Sequence, residues 1–528
     1  MPTTTAADAS ASEPLDSPRT LFLNAQLVGR PAGRYSVLVQ GGVIVSMSRG
    51  AILDIEDDME IVDLELEGKQ LWLSPSLVDW HTHFTMNAIA SRRLDLSACT
   101  SAAQVLSTVK EALAAGTHDE GGRLVGVNLR AAGWADAADL NRTALDALSD
   151  KPLVIIFNGY HSCVCNSPAL EFHDIKVHDG HDGMLLEADA FALQQRLQAV
   201  ADVCITDGWV AAEAERAASF GVTEVVDLEM AHNLASWERR CGPGGFKTLR
   251  VHIGFYPAHI DDAIKAGLKT GDSVPGTHDL VTAGPLKVIT DGSLGSQTAF
   301  CCDPYPGTTD RGILVYDDKA VQELAEKGHA AGLRLAVHAI GDDALHSTLT
   351  ALEAAARNGC PPLPHSTIEH AQLLDAKAAD VPLFKSLGLV ASIQPRHLVD
   401  DRDLCHAYWP GREGRAYAFR TLHDAGIPLR LGSDCPVAPL QPWDAIACAM
   451  TRNGAGDEAS AAFHPEQCID VATAFNASTW SGRSHISEGE RADIVILHSD
   501  PLACDADGIR NMVVEGTMLG GNWTYRRK

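Results

Sequence analysis

The sequence predicts an α/β chain: a (β/α)8 TIM-like barrel with a small discontinuous β-sandwich domain built from both chain ends. Three observations carry this. Through the middle of the chain, short apolar strands alternate with Ala- and Leu-rich helical segments such as 318–331 and 342–357, the pattern of βα units on a parallel sheet. Both ends read instead as short strands with no helices between them. Neither end has enough strands for a stable sheet alone, so the two are expected to pair, with the middle inserted between them.

In chain order, residues 1–18 are rich in Thr, Ala and Ser and read as a disordered tail, with neither the basic start nor the apolar centre of a secretory signal. Residues 19–75 and 485–528 are assigned to the small β domain. Its strands are read at 21–28, 35–40, 43–47 and 60–73, with Gly41-Gly42 as a two-residue hairpin turn, and at 492–497 and 512–516 near the other end. Residues 76–484 are assigned to the barrel. Candidate strands lie at 77–81, 153–157, 223–227, 250–255, 286–290, 334–338, 366–370, 390–394 and 428–433, one more than an eight-stranded barrel needs. The strand at 153–157 falls in a long stretch at about 85–220 and is given to an insertion. Within that insertion Trp134, Tyr160 and Met184 are expected near the pocket mouth, their apolar groups serving packing more than contact with substrate.

Composition narrows the function. With 528 residues, 45% of them apolar, and a mean hydropathy of −0.04, the chain has the make-up of a soluble globular enzyme. Its 69 acidic residues against 42 basic ones leave a net charge of −27, which disfavours nucleic acid and anionic membranes as partners. No apolar run approaches the roughly 18 residues that suggest a membrane span. The 13 cysteines are scattered and odd in number, which fits reduced thiols in a cytoplasmic protein. Cys163 with Cys165, and Cys301 with Cys302, read as buried thiols in preference to metal ligands. The expected partner is a small-molecule substrate, and a homodimer is an allowed assembly.

The chemistry sits at strand ends. His81 and His83 close the first barrel strand one residue apart, so strand alternation points both to one side, where they can share a metal ion. A barrel of this kind places its site at the C-terminal edge of the strands. There the fourth strand carries Lys287, the fifth ends in His338, the sixth in His370, and the eighth runs through Gly432-Ser433 into Asp434. Four histidines so placed point to one or two divalent metal ions, zinc first because imidazole is its common ligand, with iron or manganese compatible with the same ligand types. Lys287 facing the interior would be costly to bury unpaired and would repel a metal. Its carbamate, formed with carbon dioxide, is anionic and can bridge two ions. Asp434 stands where a metal-activated water would sit, and can take its proton and later pass it on. His329, His346, His365 and His397 fall on helices and loops and read as surface or supporting residues.

These motifs resemble the metal-dependent amidohydrolase superfamily, in its amidohydrolase-3 branch with the YtcJ-like proteins and N-substituted formamide deformylases. The resemblance runs through most of residues 20–528. It is carried by Pro75-Ser76-Leu77-Val78-Asp79-Trp80-His81-Thr82-His83, Asp291-Gly292-Ser293-Leu294-Gly295-Ser296 after Leu286-Lys287-Val288, His338-Ala339-Ile340-Gly341-Asp342, Ile368-Glu369-His370-Ala371-Gln372 and Gly432-Ser433-Asp434-Cys435-Pro436-Val437. It implies that His81 and His83 bind the more buried metal and His338 and His370 the more exposed one, with Lys287 bridging as its carbamate. With a single metal, His81, His83, His338 and Asp434 would be the ligands, and His370 would assist the substrate. Asn158-Gly159-Tyr160-His161 with Asn166-Ser167 resembles a substrate-side element, in which His161 donates a hydrogen bond to the scissile carbonyl. Gly295-Ser296-Gln297-Thr298 is expected in the pocket wall. Ser76 replaces the usual glycine before the first strand, and Asn158 stands where an acidic residue is common.

The expected activity is metal-dependent hydrolysis of a non-peptide C–N bond, of N-acyl or N-formyl amide type, with Asp434, His161 and His370 as catalytic groups. A heterocycle deaminase, or a hydrolase of carbamates, esters or lactones, would use the same site. A metal-binding relative without turnover is the third reading. Such a relative typically lacks the catalytic carboxylate or a histidine, and this chain has them all.

Overall fold

The computed structural model describes residues 19–50, 56–66, 68–118, 120–131, 133–178, 180–199, 203–242, 245–374, 377–456 and 461–528; the tail expected at 1–18 lies outside them. Eight parallel strands run in sequence around a barrel: β1 Leu77–Thr82, β2 Val222–Asp227, β3 Arg250–Phe255, β4 Val281–Ile289, β5 Leu335–Ala339, β6 Thr367–His370, β7 Val390–Ile393 and β8 Leu429–Leu431. Helices such as Asp318–Ala331 and Asp342–Arg357 connect them; the first starts where the Asp317 side chain accepts from the Ala320 N–H and stops at left-handed Gly332.

Two strands differ from their expected extent. β4 begins at Val281, because Val281 to Ala283 continue the ladder with Val251 to Ile253. β8 stops at Leu431, because the chain beyond it leaves β7 to reach β1. There Asp434 N–H donates to His81 O at 2.7 Å and His83 N–H to Cys435 O at 2.8 Å, which brings the barrel close to closure. Gly432 makes the approach possible, since a Cβ at that position would lie 2.6 Å from His81 N.

Between β1 and β2 stands a separate five-stranded sheet, in the order Met184–Leu186, Ser162–Cys165, Leu153–Phe157, Leu124–Leu129, Leu94–Asp95. Its alternation feeds two cores. Val154 and Ile156 pack on one face with Met86 from beside the barrel, and Leu153 and Ile155 pack on the other.

The chain ends meet in one sheet. The strands Val514–Leu519, Ile494–Leu497, Trp72–Pro75, Arg19–Leu27 and Tyr35–Gln40 follow one another across it. Arg19–Leu27 pairs through its first residues with Tyr35–Gln40 and through Gln26 and Leu27 with Trp72–Pro75. The two halves enclose a common core that includes Phe22, Val37, Ile44, Leu73, Ile494 and Met518. Ser76 needs no glycine-like backbone there, and Thr223 and Ser76 share a hydroxyl hydrogen bond of 2.6 Å. Among the described residues no helix is long and apolar enough to cross a membrane.

Candidate metal centre

The C-terminal edge of the barrel gathers the residues read from the sequence into one cavity. His81 Nε2 and His83 Nε2, from the end of β1, lie 3.3 and 3.2 Å from Asp434 Oδ1 after β8. The ligand atoms of these three residues all fall within 4.8 Å of one another. Lys287, buried on β4, brings Nζ to 3.4 Å from His81 Nε2. The His370 ring at the end of β6 stands 5.0 Å from that of His81 and 4.6 Å from that of His338 on β5. His338 Nε2 donates to Gly292 O at 3.2 Å, which leaves Nδ1 as its accepting nitrogen. His370, Ala371 and Asp434 all have left-handed backbone, with φ of 71°, 45° and 58°. Such strain is costly for side-chain-bearing residues, and here it falls on two candidate ligands and on the residue that follows one of them.

The insertion supplies the opposite wall. His161, from the turn before Ser162–Cys165, places its ring 6.0 Å from that of His338. Its Nδ1 donates to Glu187 Oε2 at 2.8 Å. Of the stretch 295–298, Gly295 lines the cavity, whereas Ser296 and Thr298 turn their hydroxyls to Glu187. Asn158 and Tyr160 also line it, while Trp134 and Met184 pack into the insertion's own core.

Several supporting residues were not singled out from the sequence. Glu369 Oε2 accepts from His81 Nδ1 at 2.6 Å, and its other oxygen accepts from Thr367. That bond fixes the proton on Nδ1 and leaves Nε2 as a lone-pair donor facing Asp434. Asp79 accepts from the backbone N–H groups of Ser433 and His81, tying β8 to β1. His397 was read as surface or supporting. It is buried in the first turn of the helix Pro395–Tyr408, stacked on His370 at 6.0 Å, with Nε2 3.8 Å from Asp434 Oδ2. The available signal was its position, three residues beyond the end of the seventh predicted strand. Glu187 and Glu369 carried none that separates them from other acidic residues.

The electrostatics favour ligand-competent protonation states at His81, His370 and Asp434, whereas at His83 burial is outweighed by Asp434, which raises the imidazole above its usual value. Burial pushes His81 down to about 4, helped by the charge of Lys287. Burial, then neighbouring His338, holds His370 far below its usual value. Burial works against ionised Asp434, but His81, His83 and His370 outweigh it and hold the carboxyl well below its ordinary range. Glu369 behaves alike: burial opposes its charge, and His81 and Lys287 still bring it to about 2. Burial also lowers Lys287, against the pull of Glu369 and Asp434.

These residues fit a cation. His81 Nε2, His83 Nε2 and Asp434 Oδ1 are acceptors converging on one point, and Asp434 Oδ1, His370 Nδ1 and His397 Nε2 are buried without a hydrogen-bond partner. Imidazole nitrogens and an ionised carboxylate form a donor set for a divalent metal, and such a metal would satisfy the orphaned atoms.

A parallel barrel with imidazoles and a carboxylate gathered at its C-terminal edge defines the class of metal-dependent barrel hydrolases. The chain belongs to the amidohydrolase family, whose amidohydrolase-3 profile matches residues 61–525. It is 25% identical to the putative amidohydrolase YtcJ of Bacillus subtilis, over 93% of this chain and 96% of that one. To the N-substituted formamide deformylase of Arthrobacter pascens it is likewise 25% identical, over 93% and 95% of the two chains. An uncharacterized metal-dependent hydrolase from Pyrococcus horikoshii shares the fold, with a TM-score of 0.73 at 22% identity over 93% of this chain and 99% of that one.

Proposed function

We propose that this chain hydrolyses a non-peptide C–N bond in a small molecule, of the N-acyl or N-formyl amide type. The observation that carries the reading is the convergence of His81 Nε2, His83 Nε2 and Asp434 Oδ1 in a cavity at the barrel's C-terminal edge. Similarity along nearly the whole chain to a formamide deformylase supports the choice of bond.

In this reading His81 and His83 would hold the more buried of two zinc ions and His338 and His370 the more exposed one, with the Lys287 carbamate and Asp434 as further ligands. The lowered basicity of Lys287 supports the carbamate, since carbon dioxide adds to a neutral amine. When bound, the metal supplies Lewis acidity toward the carbonyl and lowers the pKa of water to about 7. Asp434 takes the proton of the attacking water and delivers it to the nitrogen of the departing amine, so that an acid and an amine leave. Glu187 orients the His161 ring through Nδ1, and in this reading the ring's Nε2 side faces the carbonyl oxygen and polarises it as a hydrogen-bond donor. With a single ion, His81, His83, His338 and Asp434 would hold it and His370 would assist the substrate.

We take residues 19–75 with 485–528 as one β domain and 76–484 as the catalytic barrel with its insertion. The thirteen cysteines, none in a disulfide, support a cytoplasmic setting. Metal analysis of the purified protein, with turnover assays on N-formyl and N-acyl amines beside heterocyclic amines, hydantoins, lactones and aryl esters, tests the proposal. Stoichiometric zinc, amide turnover and its loss in Asp434→Asn are expected. Absence of any divalent metal, full activity in Asp434→Asn, or turnover confined to the other substrates overturns it.

A further inference from the structure

The opposite, N-terminal end of the barrel holds a second cavity whose lining is rich in donors and poor in acceptors. Arg430 on β8 lies over the face of Trp80, its guanidinium carbon 3.9 Å from the ring centroid. Arg334, one residue before β5, lines the same cavity. Among the described residues neither guanidinium forms a hydrogen bond or a close ion pair, and the one attraction on Arg430 is the more distant charge of Glu369. The Trp80 Nε1–H is buried and also without an acceptor. Arg491 faces the cavity too, but Glu224 and Asp493 neutralise it. Glu369 is the one carboxylate in the lining, and His81 and Thr367 already engage it.

Two cations that repel one another beside an orphaned indole N–H are a costly arrangement for an empty cavity. Burial and the neighbouring charge of Arg334 push Arg430 down to about 10. Both also depress His365 at the cavity rim. An anion resolves all of these at once, and the planar guanidinium fork matches the oxygens of a phosphate or carboxylate. Access exists, because His365 and Trp480 at the rim are exposed. Trp480 stacks on Trp80 at 5.4 Å and on His252 at 4.7 Å, which gives the wall a rigid aromatic floor.

We propose that this cavity is a binding site for a small oxyanion, held between Arg334 and Arg430 with the Trp80 indole N–H as a third donor. The occupant sits one carboxylate away from the candidate metal centre, because Glu369 lines the cavity and also holds His81.

Calorimetric and thermal-unfolding titrations of the metal-loaded protein with inorganic phosphate and, separately, with succinate test the site, with chloride at matched ionic strength as the control. A saturable rise in Tm with at least one oxyanion and none with chloride is expected, and the stronger probe identifies a phosphate or carboxylate source. Arg334→Gln, at the half-buried edge, is expected to abolish the response and to melt above wild type in anion-free buffer, since it relieves repulsion. Arg430→Gln gives the same loss if it folds. No saturable response to either oxyanion overturns the proposal. So does a response undiminished in Arg334→Gln, which would place the anion at the metal centre.

Discussion

Glu369 never reaches the substrate cavity, yet it decides which nitrogen of His81 can bind a cation. Its hydrogen bond to Nδ1 is the type of outer contact whose loss weakens metal binding by about 10–100-fold. Glu369→Gln is therefore expected to lower metal affinity by that factor in competition with a chromogenic chelator; unchanged affinity would remove Glu369 from this role. Glu187 acts at the same remove on His161. Glu187→Gln should lower kcat by about 10-fold and His161→Ala by about 100-fold, both with unchanged metal content, since the lost group acts in proton donation and polarisation. A Glu187→Gln protein with wild-type kcat would separate the pair from catalysis. His81, His83, Lys287, His338, His370 and Asp434 were legible because each lies on a strand or within three residues of its end, and strand ends share one edge of a barrel. Glu187, Glu369 and His397 were not, because an acidic side chain or a helical histidine has no local pattern that tells which neighbour it meets.

At the scale of elements, the seam between β1 and β8 holds the site together. A Cβ on residue 432 would press on His81 N at 2.6 Å, so Gly432→Ala should force the strands apart. We expect about 1–3 kcal/mol of lost stability, as for other overpacked sites, together with weaker metal binding. Parallel urea denaturation and metal titration would show stability loss without metal loss if the seam does not position the ligands. β2 contributes through Asp227, which accepts from Phe84 N–H at 3.0 Å and Trp237 Nε1–H at 2.7 Å and so anchors the start of the helix Phe84–Ala90. Burial and the nearby Glu229 carboxylate push Asp227 up to about 6. The native state therefore holds this proton more tightly than the unfolded chain, whose carboxyl titrates near 4. Its contribution to stability falls as pH rises from about 4 through about 6. In Asp227→Asn that decline should be absent, which urea midpoints at pH 4.5 and 7 can show; equal pH slopes in the two proteins would refute it.

For the molecule as a whole, the two chain ends complete one sheet, so neither is dispensable. Removing residues 512–528 deletes the strands Val514–Leu519 and Asn522–Arg526, takes Met518 from the shared core and exposes the edge of Ile494–Leu497. The truncated chain should lose solubility on expression, as an unpaired apolar edge invites association; a soluble monomeric product in sedimentation would count against this. Metal binding is expected to be coupled to global stability, so chelation should lower the first calorimetric transition by several degrees and added zinc restore it.

The sequence by itself determined the barrel, the pairing of the two ends, and six converging residues on five strand ends. Those features follow from alternation and from the order of apolar runs, which are local properties of a chain. The tertiary structure alone decided that Glu187 orients His161, that Glu369 sets the tautomer of His81, and that His397 stacks on His370. It alone revealed the unpaired arginines at the far end of the barrel. Each of these depends on which side chains approach through space, across as many as 288 residues of sequence for His81 and Glu369.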